Sequence, residues 1–252
     1  MNPLGKSGFT ATIFFLFLAT IATNAFAQDQ KFRVGLIAGL ELSNGILEVK
    51  SSDTIMSGKF HDPKAGFKLG VIGEYSFNEY FALTPGVVFK QRGAKGELSL
   101  SDGWSSYAVK SSTNINYLQI PINAKVSVPI NRDFKVFGVA GPYVAFGLSG
   151  KETDELKSNG VNVGKITFDL FSGDVSSGNL FLDDVLEDYS KYSKLKRSDF
   201  GLTFGGGMEY KKIFVSIQYD LGLSNLYKAP EINGVLKTSN RNLGISVGYM
   251  FN

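Results

Sequence analysis

From Phe32 to Phe251 the chain repeatedly alternates apolar and polar side chains, the period-two signature of a β-strand with one apolar face. Val34, Leu36, Ala38, Leu40 and Leu42 share one face, with Arg33, Gly35, Gly39 and Glu41 on the other. The run 66–77 sets Phe67, Leu69, Val71 and Tyr75 against Lys68, Gly70, Glu74 and Ser76. The run 81–92 sets Phe81, Leu83, Val87 and Phe89 against Thr84, Gly86, Lys90 and Arg92. In 117–128, Leu118, Ile120, Ile122, Ala124, Val126 and Val128 alternate with Tyr117, Gln119, Asn123, Lys125 and Ser127. The run 134–148 reads as extended, but its two faces are too alike to orient. In 200–210, Phe200, Leu202, Phe204, Met208 and Tyr210 oppose Gly201, Thr203, Gly205, Gly207 and Glu209. Ile213, Val215, Ile217, Tyr219 and Leu221 then oppose Ser216, Gln218 and Asp220, and the run 242–251 alternates in the same way.

That gives eight strands, and their connections alternate in length. Short turns fall at Asn78-Glu79, between Pro129 and Asp133, and at Lys211-Lys212. Long connections fall at 43–65, 94–114, 149–198 and 222–240. All long connections therefore emerge at one end. An even-stranded antiparallel up-and-down barrel crossing an outer membrane has this plan, with short periplasmic turns and long extracellular loops.

Export is expected as well. Lys6, the apolar run from Phe9 to Ala22, and Ala25-Phe26-Ala27 have the order of a cleaved signal peptide. Residues 1–27 would be the signal and 28–252 the barrel domain. Losing Lys6 takes the formal net charge from +3 to +2, too small a balance to suggest nucleic acid. With no cysteine in the chain, disulfides and thiolate chemistry are excluded. Abundant glycine (29 residues) without any later apolar helical stretch suits a barrel better than a disulfide-stapled domain.

Alternation does not say which face is wet. In a soluble, lipocalin-like ligand carrier the apolar set would point inward. In a membrane barrel it meets lipid, and the lumen receives Arg33, Glu41, Lys68, Glu74, Lys90, Arg92, Lys125, Glu209 and Asp220. Strands of about ten residues favour the membrane. So do aromatic residues at strand ends: Tyr75, Phe77, Phe81, Tyr210, Phe214, Tyr249 and Phe251. Five lumenal cations against four anions point to a salt-bridged plug, since buried charge is tolerated only when paired. The same charges could instead line a narrow porin-like path for small solutes.

Tyr117-Leu118-Gln119-Ile120-Pro121 resembles the Tyr-Leu-Glu-Ile-Pro signature of the PorT-like outer-membrane β-barrel family. Gly141-Pro142-Tyr143, Gly205-Gly206-Gly207 before Glu209, and the ending 244–251 are similar to Gly and aromatic stretches of that family. The resemblance implies an outer-membrane barrel, accessory to protein secretion in the family's namesake. Gln119 stands where the family usually has Glu; if that carboxylate pairs with a lumenal cation, the contact is changed here.

Catalytic and metal-binding patterns are weak. His61, the single histidine, stands beside Asp62, but no spacing ties it to Ser57 or Ser105 as a nucleophile. Asp183, Asp184, Glu187 and Asp188, followed by Lys191, Lys194, Lys196 and Arg197, form no calcium-loop pattern. A short helix over the barrel mouth near 180–189 accounts for them more simply. Gly160 to Lys165 lacks phosphate-loop spacing, and Ile166 stands where Ser or Thr belongs. The expectation is a non-enzymatic barrel with no cofactor and no metal. Its partners would be outer-membrane lipid and a protein docked at the long loops or the periplasmic turns.

Overall fold

A computed structural model describes residues 31–51, 54–58, 62–101, 106–177, 194–226 and 235–251. Eight strands close into a ring. They are β1 (Phe32–Ser51), β3 (Asp62–Ser76), β4 (Phe81–Ser101), β5 (Ser106–Pro129), β6 (Phe134–Ser158), β9 (Ser198–Tyr210), β10 (Ile213–Gly222) and β11 (Val235–Phe251). Every neighbouring pair is antiparallel, and β11 returns to β1 with Val34 opposite Phe251. Closure satisfies the backbone of every strand, the condition for a sheet to sit in hydrocarbon. Among the described residues no helix is long and apolar enough to cross a membrane; the strands do the crossing.

The apolar set points outward. Leu40 is 71% exposed and Ile122 46%, as are Phe67, Leu118, Phe204, Ile217 and Ile245 to similar degrees. Every charge expected in the lumen is turned inward, and all but the half-buried Arg33 are buried. The soluble carrier, which requires the opposite orientation, is thereby excluded. Run 134–148 also acquires its faces. Val136, Val144, Phe146 and Leu148 meet lipid, while Phe137, Val139, Tyr143 and Ala145 turn inward. Both faces are apolar, so polarity could not distinguish them.

One aromatic expected at the lipid interface lies elsewhere. Phe214 is buried in the lumen, packed edge-on against Phe137 at a centroid distance of 6.3 Å. Glycines on neighbouring strands make room for both rings. A Cβ at Gly248 would lie 2.1 Å from Phe214 Cζ, and one at Gly207 would lie 2.7 Å from Phe137 Cζ.

The two ends are built differently. At the short end Asn78 and Asn131 make the same turn. Asn78 Oδ1 accepts from the amides of Tyr80 (2.9 Å) and Phe81 (2.8 Å), and Asn131 Oδ1 from those of Asp133 (3.0 Å) and Phe134 (2.9 Å). Such side-chain acceptors mimic a backbone turn and fix a tight reversal. At the other end the expected long loops are largely β-ribbon. β4 and β5 keep pairing from Gly93 opposite Asn114 to Ser101 opposite Ser106, and β5 and β6 as far as Tyr107 opposite Ser158. Three strands lie within these connections: β2 (Thr54–Gly58) on β1, β7 (Val161–Asp169) on β6, and β8 (Val175–Ser176) on β7. Ser, Thr and Val sustain pairing there after the strong apolar alternation ends. The fragment 160–165 is a hairpin turn, with positive φ at Asn159 and Gly160, followed by strand. The proposed helix near 180–189 lies outside the described residues, as do His61, Ser105, Asp183, Asp184, Glu187, Asp188 and Lys191.

With Ile122 facing lipid at mid-strand, Ile122→Arg should destabilise the inserted barrel by about 2–4 kcal/mol. Ile122→Leu should be near neutral. Urea titration of the protein folded into lipid vesicles, followed by tryptophan fluorescence or gel mobility, checks both.

Candidate functional site: the charged lumen

An eight-stranded barrel is just wide enough for its inward side chains to fill it. Here they sort into layers. Nearest the short turns, Arg33, Glu74, Lys125 and Glu209 form a closed square. Arg33 pairs with both glutamates, reaching Glu209 at 2.7 Å, and Lys125 pairs with Glu74 at 2.7 Å and Glu209 at 3.0 Å. Arg33 and Glu74 face each other across β1 and β3, whereas Lys125 and Glu209 come from β5 and β9. Two cations meet two anions, and each side chain has two partners of opposite sign.

Toward the long end a second group is equally balanced. Lys90 pairs with Glu41 (2.8 Å) and Asp220 (2.6 Å), while Lys68 lies 3.9 Å from Glu41 and donates to Gln218 Oε1 at 3.0 Å. Arg92 pairs with Asp220 (2.9 Å) and with Asp199 (3.2 Å), an anion not anticipated from the sequence. Asp199 also accepts from Asn240 (2.9 Å), from the Tyr143 hydroxyl (3.3 Å) and from Ser224. It occupies the inward parity of β9, one residue before Phe200; carrying the alternation back by one position would have found it. Three cations now meet three anions. Among the described residues the two layers together hold five cations and five anions.

The guanidinium of Arg92 is held on every side. Besides its two carboxylates it donates to Gln119, and Asn242 accepts from its Nε at 3.1 Å in the amide orientation that also donates to Ser43. The rings of Tyr117 and Tyr143 lie 5.2 and 5.7 Å from it. A planar five-donor cation can serve all these partners at once; a lysine ammonium cannot. The Tyr117–Pro121 segment thus divides its work by parity. Tyr117 and Gln119 grip Arg92 and Pro121 is buried, while Leu118 and Ile120 face lipid. The contact expected at position 119 with a lumenal cation is present, made by an amide. Gln119 Nε2 also points at Asp220 Oδ2, 3.4 Å away, which a carboxylate could not do favourably.

Between the charged layers lies an apolar one, Ile37, Val88, Phe214 and Met250, with Ile72 and Phe137 packed against it. Lys125 Nζ sits 4.4 Å from the centroid of Phe137. This layer belongs to the same inward parity, and the sequence reading that filled the lumen with charge left it out. Above the upper charges the mouth is covered. Ile115, Tyr117, Tyr143, Ala145 and Leu170 form a second apolar cluster, joined by Phe171 and Leu195. Leu170 N donates to Gly150 O (2.9 Å), and Leu195 N to Leu170 O (2.8 Å). Phe171 fits where Gly147 has no side chain, since a Cβ there would lie 2.3 Å from its Cζ. Arg197 stacks on Phe171 at 4.5 Å and donates to the carbonyls of Gly147 (3.0 Å) and Leu148 (3.2 Å). So one member of the expected basic block clamps the cover, by bonding to backbone.

Among the described residues no three His, Cys, Asp or Glu side chains are grouped to hold a metal ion. Every lumenal carboxylate has a cation beside it.

Two outcomes follow from this geometry. Lys125→Met leaves Glu74 and Glu209 sharing only Arg33, and loss of one partner of a buried pair typically costs about 3–5 kcal/mol. Adding Glu209→Gln should recover part of that loss, because members of one network are not additive; urea midpoints of the two single variants and the double variant test it. Gln119→Glu adds a sixth anion and removes the donor to Asp220, so it should lower the urea midpoint, and Asp220→Asn in the same chain should restore part of it.

The family described as Outer membrane protein beta-barrel domain matches residues 26–228. No curated protein matches the chain. Among solved structures, Ail, the attachment invasion locus protein of Yersinia pestis, is 14% identical over 88% of this chain and 100% of that one, with a TM-score of 0.32. The outer membrane protein OprG from Pseudomonas aeruginosa is 14% identical over 87% and 96%, with a TM-score of 0.41. Neisserial surface protein A is 12% identical over 88% and 98%, with a TM-score of 0.33.

Proposed function

The chain belongs to the outer membrane protein β-barrel domain family, and from that premise we propose that it is a closed, non-enzymatic scaffold of the outer membrane. One observation carries the reading: two internally neutral ion-pair layers, with an apolar layer between them, occupy the lumen. A solute path would have to break several buried ion pairs and then cross Ile37, Val88, Phe214 and Met250. The remaining mid-barrel space is a cavity of about 60 Å³. The working surfaces are therefore outside the lumen, on the extracellular ribbons or the periplasmic turns, where a protein partner docks. Residues 1–27 act as the export signal, cut after Ala27. The Tyr117–Pro121 resemblance to the PorT-like family supports a role accessory to protein secretion.

Planar-bilayer recording of the refolded protein separates this from the narrow-pore alternative. Electrical silence at physiological salt is expected. Ohmic steps whose ion selectivity changes in Lys125→Met would overturn the scaffold reading and establish a pore.

A further inference from the structure

The mid-barrel cavity is not uniformly apolar. Beside the apolar layer of Ile37, Val88, Phe214 and Met250, its lining includes Thr84, Gln119, Asn123 and Lys125 from β4 and β5. Lys68, Ser216 and Gln218 also line it, so the cavity touches the lower square through Lys125 and the upper group through Lys68. Two of its polar atoms lack a partner among the described residues, Asn123 Oδ1 and Ser216 Oγ. Asn123 is 5% exposed and Ser216 2%. Lys68 Nζ is also under-used: a single hydrogen bond to Gln218 and a distant carboxylate at 3.9 Å leave donors to spare.

Buried polar atoms without partners cost about 1–3 kcal/mol each, and native interiors seldom leave them so. What the site needs is a ligand that donates to Asn123 Oδ1 and accepts from Lys68. An aprotic anion such as chloride has no hydrogen to donate to the amide oxygen, and a metal cation has no lone pair to accept from the ammonium. A further charge of either sign would also stand between two ion-pair layers that are each already neutral. Water does both and is neutral. A single water needs about 10–15 Å³ of such space and two to four polar partners, and a cavity of about 60 Å³ holds two with space to spare.

The geometry points to a pair of resident water molecules in this cavity, bonded to Asn123, Ser216 and Lys68. They extend the hydrogen bonding of the upper charged layer from Lys68 to Asn123 and Ser216, beside the apolar layer. The site is thus a structural hydration site inside the membrane-spanning part of the barrel, tying β3, β5 and β10 together at mid-height.

The test uses the full chain refolded in detergent micelles, with magnetisation transfer from water measured by NMR and xenon as a probe of dry space. Cross-peaks from long-lived water to the Asn123 side-chain amide are expected, with no xenon-induced shift of the Ile37, Val88 or Met250 methyls. Asn123→Leu, which fills the space and removes the acceptor, should abolish the water cross-peaks remaining in its lining, including those to Thr84. Ser216→Ala is the milder companion, which decides the matter if the leucine variant fails to fold; it should shorten the residence of the bound water and weaken the Asn123 cross-peaks. Absence of water cross-peaks in the wild-type protein, or xenon shifts of those methyls, would show a dry cavity and overturn the assignment. So would cross-peaks unaffected in every variant that folds. These readouts are independent of conductance: a silent barrel with a dry cavity refutes the water site alone, and a conducting barrel with bound water refutes the scaffold alone.

Discussion

Among the described residues, ten acidic and basic side chains pair inside a tube whose outer wall meets hydrocarbon, and their mutual pairing is the condition on which the remaining structure rests. An unpaired charge in such surroundings is costly. The barrel meets the condition by keeping each layer neutral within itself. Arg33 and Lys125 answer Glu74 and Glu209; Lys68, Lys90 and Arg92 answer Glu41, Asp199 and Asp220. Arg33–Glu74 and Glu41–Lys68 join the neighbouring strands β1 and β3, but the other pairs join strands that are not neighbours, so they form only when the sheet curls into the ring. The ion pairs therefore tie lumen chemistry to topology: a barrel with a strand out of register would bury the same charges beside the wrong neighbours.

The apolar layer qualifies this picture. Phe137 and Phe214 need the space left by Gly207 and Gly248, so aromatic bulk on two strands is matched by missing side chains on the strands beside them. That complementarity keeps the interior filled without forcing the circular section to widen. It also separates the two charged layers, so that the pairs within one layer do not contact those of the other.

Much of this was legible in the sequence, and the gaps have physical causes. Alternation sets side-chain parity, so the inward position of Arg33, Lys68, Lys125 or Asp220 could be read directly. Parity fails where both faces are apolar, as along β6, and where an aromatic near a strand end turns inward, as Phe214 does. Asp199 was missed because the apolar run appeared to start at Phe200, although the ladder begins earlier. Ion-pair partners were out of reach for another reason. Lys125 meets Glu209 across the lumen, and that meeting depends on the stagger of all the strands between them, which no single segment encodes. The ribbons look like loops in the sequence because their alternation weakens once neither face touches lipid.

Those ribbons carry a mechanical consequence. β4 and β5 remain in one unbroken ladder from Gly93 opposite Asn114 to Ser101 opposite Ser106, continuous with their membrane-spanning halves. At about 3.4 Å per residue, this projecting stretch is about 30 Å long. With β6 and β7 bonded alongside, it is a multi-stranded blade, and the β5–β6 ladder shifts register at Asn116/Tyr117, where blade and barrel wall meet. Anything grasped at its far edge is held at a fixed height and angle above the bilayer, so a pull on the tip is transmitted as torque to the ring beneath.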